Sequence, residues 1–333
     1  MRYFWGVGSN NTFLMKKLPV MLSFFLAFTV THGASPTLDK KTPGDTNDLL
    51  AIQKKVLAIR DKIRVATVAV KMGRGAEGSG VIVSKEGLVL TAGHVSGKPG
   101  QKFKVILSDG REFDGVALGN SKKTDSGMIQ INKPKDLPVA DYVGPGQPEV
   151  GQWCMAVGNM GGWDDERGAV FRLGRVISVS RNTIRTDCKL LGGDSGGPLF
   201  DLDGKVIGIH SRISSAPDQN YHVAMIAFHD DWDGLKASKT IEPVSESERG
   251  YLGINFSSDP KGVRVTRVGE DTSAAKAGLK SGDIITHFNG KKLYSGSGVR
   301  DLIEKTKVGD KINVKVEREG KTLEMTIKLG KRP

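Results

Sequence analysis

Three residue types that together break peptide bonds occur in this chain in suggestive settings. Ser195 lies in Leu190-Leu191-Gly192-Gly193-Asp194-Ser195-Gly196-Gly197-Pro198, ahead of an apolar strand. Glycines on both sides let the backbone turn tightly and approach a ligand. Small neighbours leave the hydroxyl exposed and aim successive N–H groups at one spot, as a nucleophile with its own anion site requires. A bare Gly-x-Ser-x-Gly would read as a glycine-rich β-turn; the longer Gly-Asp-Ser-Gly-Gly-Pro before a strand favours chemistry. A serine hydroxyl needs a general base in contact. Of six histidines, His94 stands out, in Thr91-Ala92-Gly93-His94, where an apolar strand ends in small residues. The base needs an acceptor-only carboxylate to orient it. Asp125 leads into alternating apolar positions, whereas Asp109 and Asp114 lie in a charged hairpin.

The elements that must position these residues are mostly short strands. From Val65 to about Phe228, stretches such as Val65–Val70, Gly80–Val83, Leu88–Thr91, Phe103–Leu107, Val170–Val179 and Val206–Ile209 alternate with glycine turns. Many short strands with regular turns predict a barrel or sandwich. Before them, Leu49, Ile52, Val56, Ile59 and Ile63 recur at helical spacing, with Asp45 or Thr46 as cap. After them, charged residues 236–249 read as a linker. A small domain over 250–333 follows, with strands, a helix at about Val299–Thr306 and a terminal hairpin.

The 333 residues suit about two domains at roughly 150 each. With 43 glycines and few aromatics, the composition fits a loop-rich β protein. The formal charge of +12 is spread along the chain, which argues against nucleic acid as a partner. Two cysteines, Cys154 and Cys188, set no disulfide framework, and whether they pair is open. No cysteine or histidine spacing fits zinc, so no metal and no cofactor are expected. Lys16-Lys17 precede an apolar run, Leu18 to Val30, too short to span a membrane, and Gly33-Ala34-Ser35 offers a cleavage region. Residues 1–34 therefore read as a signal peptide, cleaved or kept as an anchor, with Met15 an alternative start, and 35–64 as linker plus helix. An extracytoplasmic place, periplasmic or secreted, follows.

Taken together, His94, Asp125 and Ser195 in that order, with Thr-Ala-Gly-His and Gly-Asp-Ser-Gly-Gly-Pro, resemble the chymotrypsin-like (trypsin-fold) serine proteases. Gly78-Ser-Gly-Val-Ile-Val83 and Thr186-Asp187 look like the HtrA/Deg branch. Tyr251-Leu-Gly-Ile254 is similar to the carboxylate-binding loop of PDZ domains, and Ala277-Gly-Leu-Lys-Ser-Gly-Asp-Ile284 to their central stretch. The resemblance covers about residues 65–331.

It implies a mainly β fold: two six-stranded β-barrels over 65–235 with the triad between them, then a small α+β PDZ domain over 250–333. Ser195 would attack a peptide carbonyl, His94 would carry the proton, and Asp125 would hold the ring. The N–H groups of Gly193 and Ser195 would form the oxyanion hole. One departure is Asp194, where many HtrA members have asparagine. In digestive relatives the matching aspartate pairs with a freshly cut N-terminus, and no activation-cleavage sequence is evident just ahead of Val65.

The pocket for the cleaved residue should involve Lys189, Leu190, His210 and Arg212. HtrA relatives usually take small aliphatic side chains there. Val206-Ile-Gly-Ile-His210 is also similar to the matching strand of glutamyl endopeptidases, whose histidine meets an acidic side chain. Acidic and aliphatic preferences therefore both stand at this point. The PDZ domain should bind C-terminal peptides through Leu252, Gly253 and Ile254, with Val299, Leu302 and Ile303 forming the side-chain pocket. The implied partners are unfolded or peptide substrates, and the resemblance implies a homotrimer built through residues 46–63. The leading expectation is an endopeptidase of extracytoplasmic protein quality control. The alternatives are a proteolytically silent PDZ chaperone or adaptor, and a narrow-specificity processing protease with acidic preference.

Overall fold

The computed structural model describes residues 42–73, 76–213, 219–293 and 296–332. The expected signal peptide lies outside these residues. The first regular element is the helix Thr46–Ala66, capped by Asp45, whose carboxylate accepts from the Asp48 N–H. Its apolar stripe packs on the strands through Ile52, Val56, Ile59 and Ile63. Leu49 departs from the expected face: it is exposed, as are Leu50 and Leu57. The helix also runs past Val65 to Ala66, because Thr67 closes it through its hydroxyl on the Ile63 carbonyl.

Two closed barrels follow. The first joins Thr67–Met72, Ala76–Ile82, Leu88–Ala92, Ser126–Ile131, Glu112–Ser121 and Lys102–Ile106 in that order, closed by pairing of the last with the first. The second joins Trp153–Gly158, Val170–Val179, Thr183–Thr186, Asn220–Ala224, Val206–Ile213 and Pro198–Asp201. Closure removes free strand edges. One apolar cluster joins the barrels, with Leu90 and Met128 from the first meeting Met155, Phe200 and Phe228. Phe200 and Phe228 are fully buried; truncating such a side chain costs about 3–5 kcal/mol.

Two elements within the second half of this region differ from the strand-and-linker pattern expected there. Met225–Lys236 is a helix, seated by Ala227, Phe228 and Leu235. Thr240–Ile241, inside the expected linker, is a short strand pairing parallel with Asn120 and Ser121. Beyond it, a separate sheet runs in the order Ile254–Asp259, Gly262–Val268, Ile284–Phe288, Lys311–Arg318, Lys321–Lys328. Its own core includes Val263, Ile285, Phe288, Val314 and Val316. The strand Ile254–Asp259 forms an edge of this sheet. Among the described residues, no helix is long and apolar enough to cross a membrane.

Candidate active site

His94 stands on a single helical turn, Gly93–Ser96, where the strand Leu88–Ala92 ends. Asp125 sits just ahead of the neighbouring strand Ser126–Ile131 in a left-handed conformation, φ 62°. Backbone bonds hold it there: its N–H donates to Ser121 O at 2.8 Å and its carbonyl accepts from Gly93 N at 2.7 Å. Strain of this kind persists where surrounding structure imposes it.

The Asp125 carboxylate is fully engaged. Oδ1 accepts from the His94 backbone N–H at 2.9 Å. The His94 ring Nδ1 lies 2.9 Å from Oδ2 and 3.1 Å from Oδ1. The Ser211 hydroxyl, from the second barrel, donates to Oδ2 at 2.6 Å. Burial alone would raise the Asp125 pKa, but the bonds from His94 and Ser211 outweigh it and hold the carboxyl below its usual range. The same bond to Asp125 raises the His94 pKa above 6.5, against the effect of burial. This pairing fixes Nδ1 as a donor and leaves Nε2 to accept a proton.

Ser195 belongs to the second barrel, but its loop is tied to the first. Its carbonyl accepts from Ser79 N at 2.8 Å, and Ser79 Oγ donates to Gly193 O at 2.8 Å. Gly196 N donates to His210 O at 2.8 Å, one residue from Ser211. The loop is thus fastened to the strand beside the one that leads into His94, and to the strand whose Ser211 holds Asp125. Among the described residues no hydrogen bond joins the Ser195 hydroxyl to His94; such contacts commonly tighten once substrate is bound.

Gly193 has φ +90°, and a Cβ there would overlap the Asn159 carbonyl. The Gly192 carbonyl accepts from Gly161 N at 2.7 Å. Across that trans peptide the Gly193 N–H points the opposite way. Neither it nor the Ser195 N–H has a protein acceptor among the described residues. Two donors are therefore free beside the hydroxyl. Asp194 between them is fully buried and meets Arg172.

A cavity of about 150 Å³ adjoins Ser195, walled by Leu190, Leu191, His210, Ser211 and Ile213. Lys189 is exposed and does not line it. Arg212 lines its edge, with its guanidinium 5.0 Å above the Tyr221 ring. His210 is wholly buried. Its Nε2 lies 3.2 Å from Val157 O and its Nδ1 2.9 Å from Nδ1 of His222. Nε2 of His222 lies 2.8 Å from Thr186 Oγ1. One proton arrangement satisfies the ladder: His210 Nε2–H donates to Val157, His222 Nδ1–H to His210, and the Thr186 hydroxyl to His222. Both rings are then neutral, and both His210 nitrogens are engaged within the protein while the ring lines the cavity.

The ladder makes a prediction. Burial lowers His210 well below 6.5, with His222 adding to it, and pushes His222 down to about 3. Below pH 6.5 the unfolded chain binds protons that the folded ladder refuses, so stability falls as pH falls. The His222 contribution is roughly 1.4 kcal/mol per pH unit between 6.5 and about 3. Urea midpoints should drop between pH 7 and 4.5, and by less in His222→Gln. An equal drop in both proteins would refute the account.

In the C-terminal domain a groove of about 430 Å³ is lined by Leu252, Gly253, Ile254, Phe256, Val299 and Ile303. Gly253 has φ +82° and its missing Cβ makes room for Thr272. The N–H groups of Leu252 and Gly253 have no protein acceptor among the described residues. Leu302 does not line this groove. It is buried in the domain core and borders a different cavity, beside Asp230, because Val299 and Ile303, four apart, own the groove face. Asp230 itself escaped the sequence reading. It gathers Arg181 at 2.7 Å with Lys291 and Lys305 at 2.6 Å, joining the second barrel to the C-terminal domain. Burial opposes its ionisation, yet these cations hold its pKa well below the usual range. The Cys154 and Cys188 sulfurs lie 3.9 Å apart as buried free thiols. Among the described residues no cluster of His, Cys, Asp and Glu is placed to hold a metal.

Comparison with known families decides the class. Residues 78–209 match the trypsin-like peptidase domain and residues 250–329 match the PDZ domain. The chain is an HtrA-like pairing of these two domains. It is 34% identical over 269 residues to the periplasmic serine endoprotease DegP of Salmonella typhimurium, across 76% of this chain and 56% of that protein. It thus spans little more than half the length of such relatives. Among solved structures, the HtrA-type protease AlgW with a tripeptide aligns at TM-score 0.56 and 25% identity, over 85% of this chain and 97% of that one. A serine endoprotease from Yersinia pestis aligns at TM-score 0.53 and 25% identity, over 85% and 98%.

Proposed function

We propose that this chain is a serine endopeptidase acting through an acyl-enzyme. The observation that carries the reading is the Asp125 carboxylate, which orients His94 from the first barrel while bound to Ser211 of the second. Ser195 attacks the peptide carbonyl, and His94 Nε2 takes its proton and returns it to the leaving amine. The oxyanion forms against the N–H groups of Gly193 and Ser195. Removing one such donor typically costs about 10²–10³ in rate.

The small cavity beside Ser195, walled by Leu190 and Ile213, suits a small aliphatic side chain. An acidic preference finds little support, since Lys189 stands outside the cavity and the His210 nitrogens are occupied. The PDZ edge strand Ile254–Asp259 is free to add an extended peptide, with its terminal carboxylate at Leu252 and Gly253 N–H. The Salmonella relative is a periplasmic serine endoprotease. That supports a periplasmic role in quality control, on unfolded chains whose termini the PDZ domain captures.

A fluorophosphonate should label Ser195, and peptides varied at the cleaved position should be cut after Val or Ala in preference to Glu. No labelling alongside intact peptide binding would instead make the chain a silent PDZ adaptor. Preference for Glu would make it an acid-specific processing enzyme.

A further inference from the structure

We propose that Arg172 is the positioning residue that holds the oxyanion loop in its working form, by pairing with Asp194. The inference rests on the serine-peptidase reading and concerns how that site is kept assembled.

Asp194 is 0% exposed. A carboxylate at such depth needs a cation and further donors, because an unpaired buried charge is strongly unfavourable. Arg172 supplies the cation. One guanidinium N–H donates to Oδ1 at 3.1 Å and the second terminal nitrogen stands 3.1 Å from Oδ2. Leu191 N–H adds a bond to Oδ2 at 2.8 Å. Arg172 is itself largely enclosed, with 15% of its side chain exposed. It projects from the strand Val170–Val179, opposite Ala156 on Trp153–Gly158. This strand is paired on both sides, whereas the serine loop is a turn of glycines.

The carboxylate also has a fitted seat. A Cβ at Gly158 would come within 2.6 Å of Asp194 Oδ1. The main chain of Asp194 is bound on both sides, its N–H to Leu191 O at 3.1 Å and its carbonyl to Gly197 N at 2.8 Å. Where the carboxylate goes, residues 191–197 must follow. Those residues include both N–H groups assigned to the oxyanion. The second anchor, Gly161 N on the Gly192 carbonyl, sets which face of the 192–193 peptide the Gly193 N–H occupies. Arg172 thus supplies from inside the barrel a charge that a chain terminus would otherwise bring, so the loop is assembled without an activating cut.

The test is a double-mutant cycle on the full chain with Arg172→Met, Asp194→Asn and both together. Each is followed by the fluorophosphonate labelling rate, by kcat and KM on a peptide, and by circular dichroism. Arg172→Met should lose at least 100-fold in labelling rate and kcat with KM changed less than about threefold, since the substrate pocket does not include Arg172. The double variant removes both charges while keeping an asparagine oxygen for Leu191 N–H. It should recover to within tenfold of the native rate.

Arg172→Lys should fall between native and Arg172→Met. If Arg172→Met does not fold, Arg172→Lys and the double variant carry the test. Native-like labelling in Arg172→Met would overturn the proposal. So would a folded double variant no faster than 1% of native, because Arg172 would then not act through Asp194. A native protein that labels at no site would instead sink the peptidase reading itself.

Discussion

Ser195→Ala should abolish fluorophosphonate labelling and lower kcat by about 10⁶-fold while leaving the fold intact. Ser195 is half-buried at a turn whose shape is set by backbone bonds to Ser79, Gly196 to His210, and the Gly193 conformation. Removing one oxygen disturbs none of these, so the melting temperature should stay within a few degrees. What disappears is the atom placed to form the acyl bond. His94→Ala should cost about as much, and the double variant no more than either single, because nucleophile and base act as one unit. About 10³-fold acceleration over water should survive from the oxyanion donors and substrate binding. Ordinary turnover in Ser195→Ala would refute the assignment of the nucleophile.

Asp125→Asn should lower kcat by about 10⁴-fold and move the acid limb of the pH–rate profile downward. The carboxylate accepts the His94 ring, the His94 backbone N–H and the Ser211 hydroxyl. An amide cannot accept all of these. With its NH₂ toward the ring it selects the tautomer protonated on Nε2, which cannot take the Ser195 proton. The sign of the pH effect follows from the base being active only when neutral. In the native enzyme Asp125 raises the His94 pKa above 6.5, so activity is lost on acidification from above that point. Removing the negative charge removes the rise, and the limb moves to lower pH. Asparagine tolerates the left-handed backbone that Asp125 adopts, so the variant should fold. A profile of kcat/KM against pH for both proteins reads the result. An unshifted limb would mean that another group is the base.

Much of this site is legible in the residues because its members sit in short, chemically specific contexts. The serine loop needs glycines, the histidine needs a small-residue strand end, and the aspartate precedes an alternating strand. Their helpers are legible only in three dimensions. Arg172 reads as one more surface cation on a strand, and nothing local says that its partner lies 22 residues on. Asp230 meets Lys291 and Lys305 across 61 and 75 residues. His210 lies on the strand Val206–Ile213 facing the serine loop, and its direction depends on His222 and Thr186, which only the barrel closure brings near. The helix Met225–Lys236 opens on an apolar run that also suits a strand. Packing of Ala227, Phe228 and Leu235 against the barrels, not propensity, decides the matter.

The Ser211–Asp125 bond has a consequence for how such a protein fails. One carboxylate is gripped by two bodies that also have separate apolar cores. A slip of one barrel against the other by an ångström would break that grip and release the imidazole, though each barrel kept its own sheet. Local loosening of this kind requires less free energy than global melting. Heat or denaturant would therefore quench turnover before exposing either core. A partly damaged molecule would then fall silent while still folded.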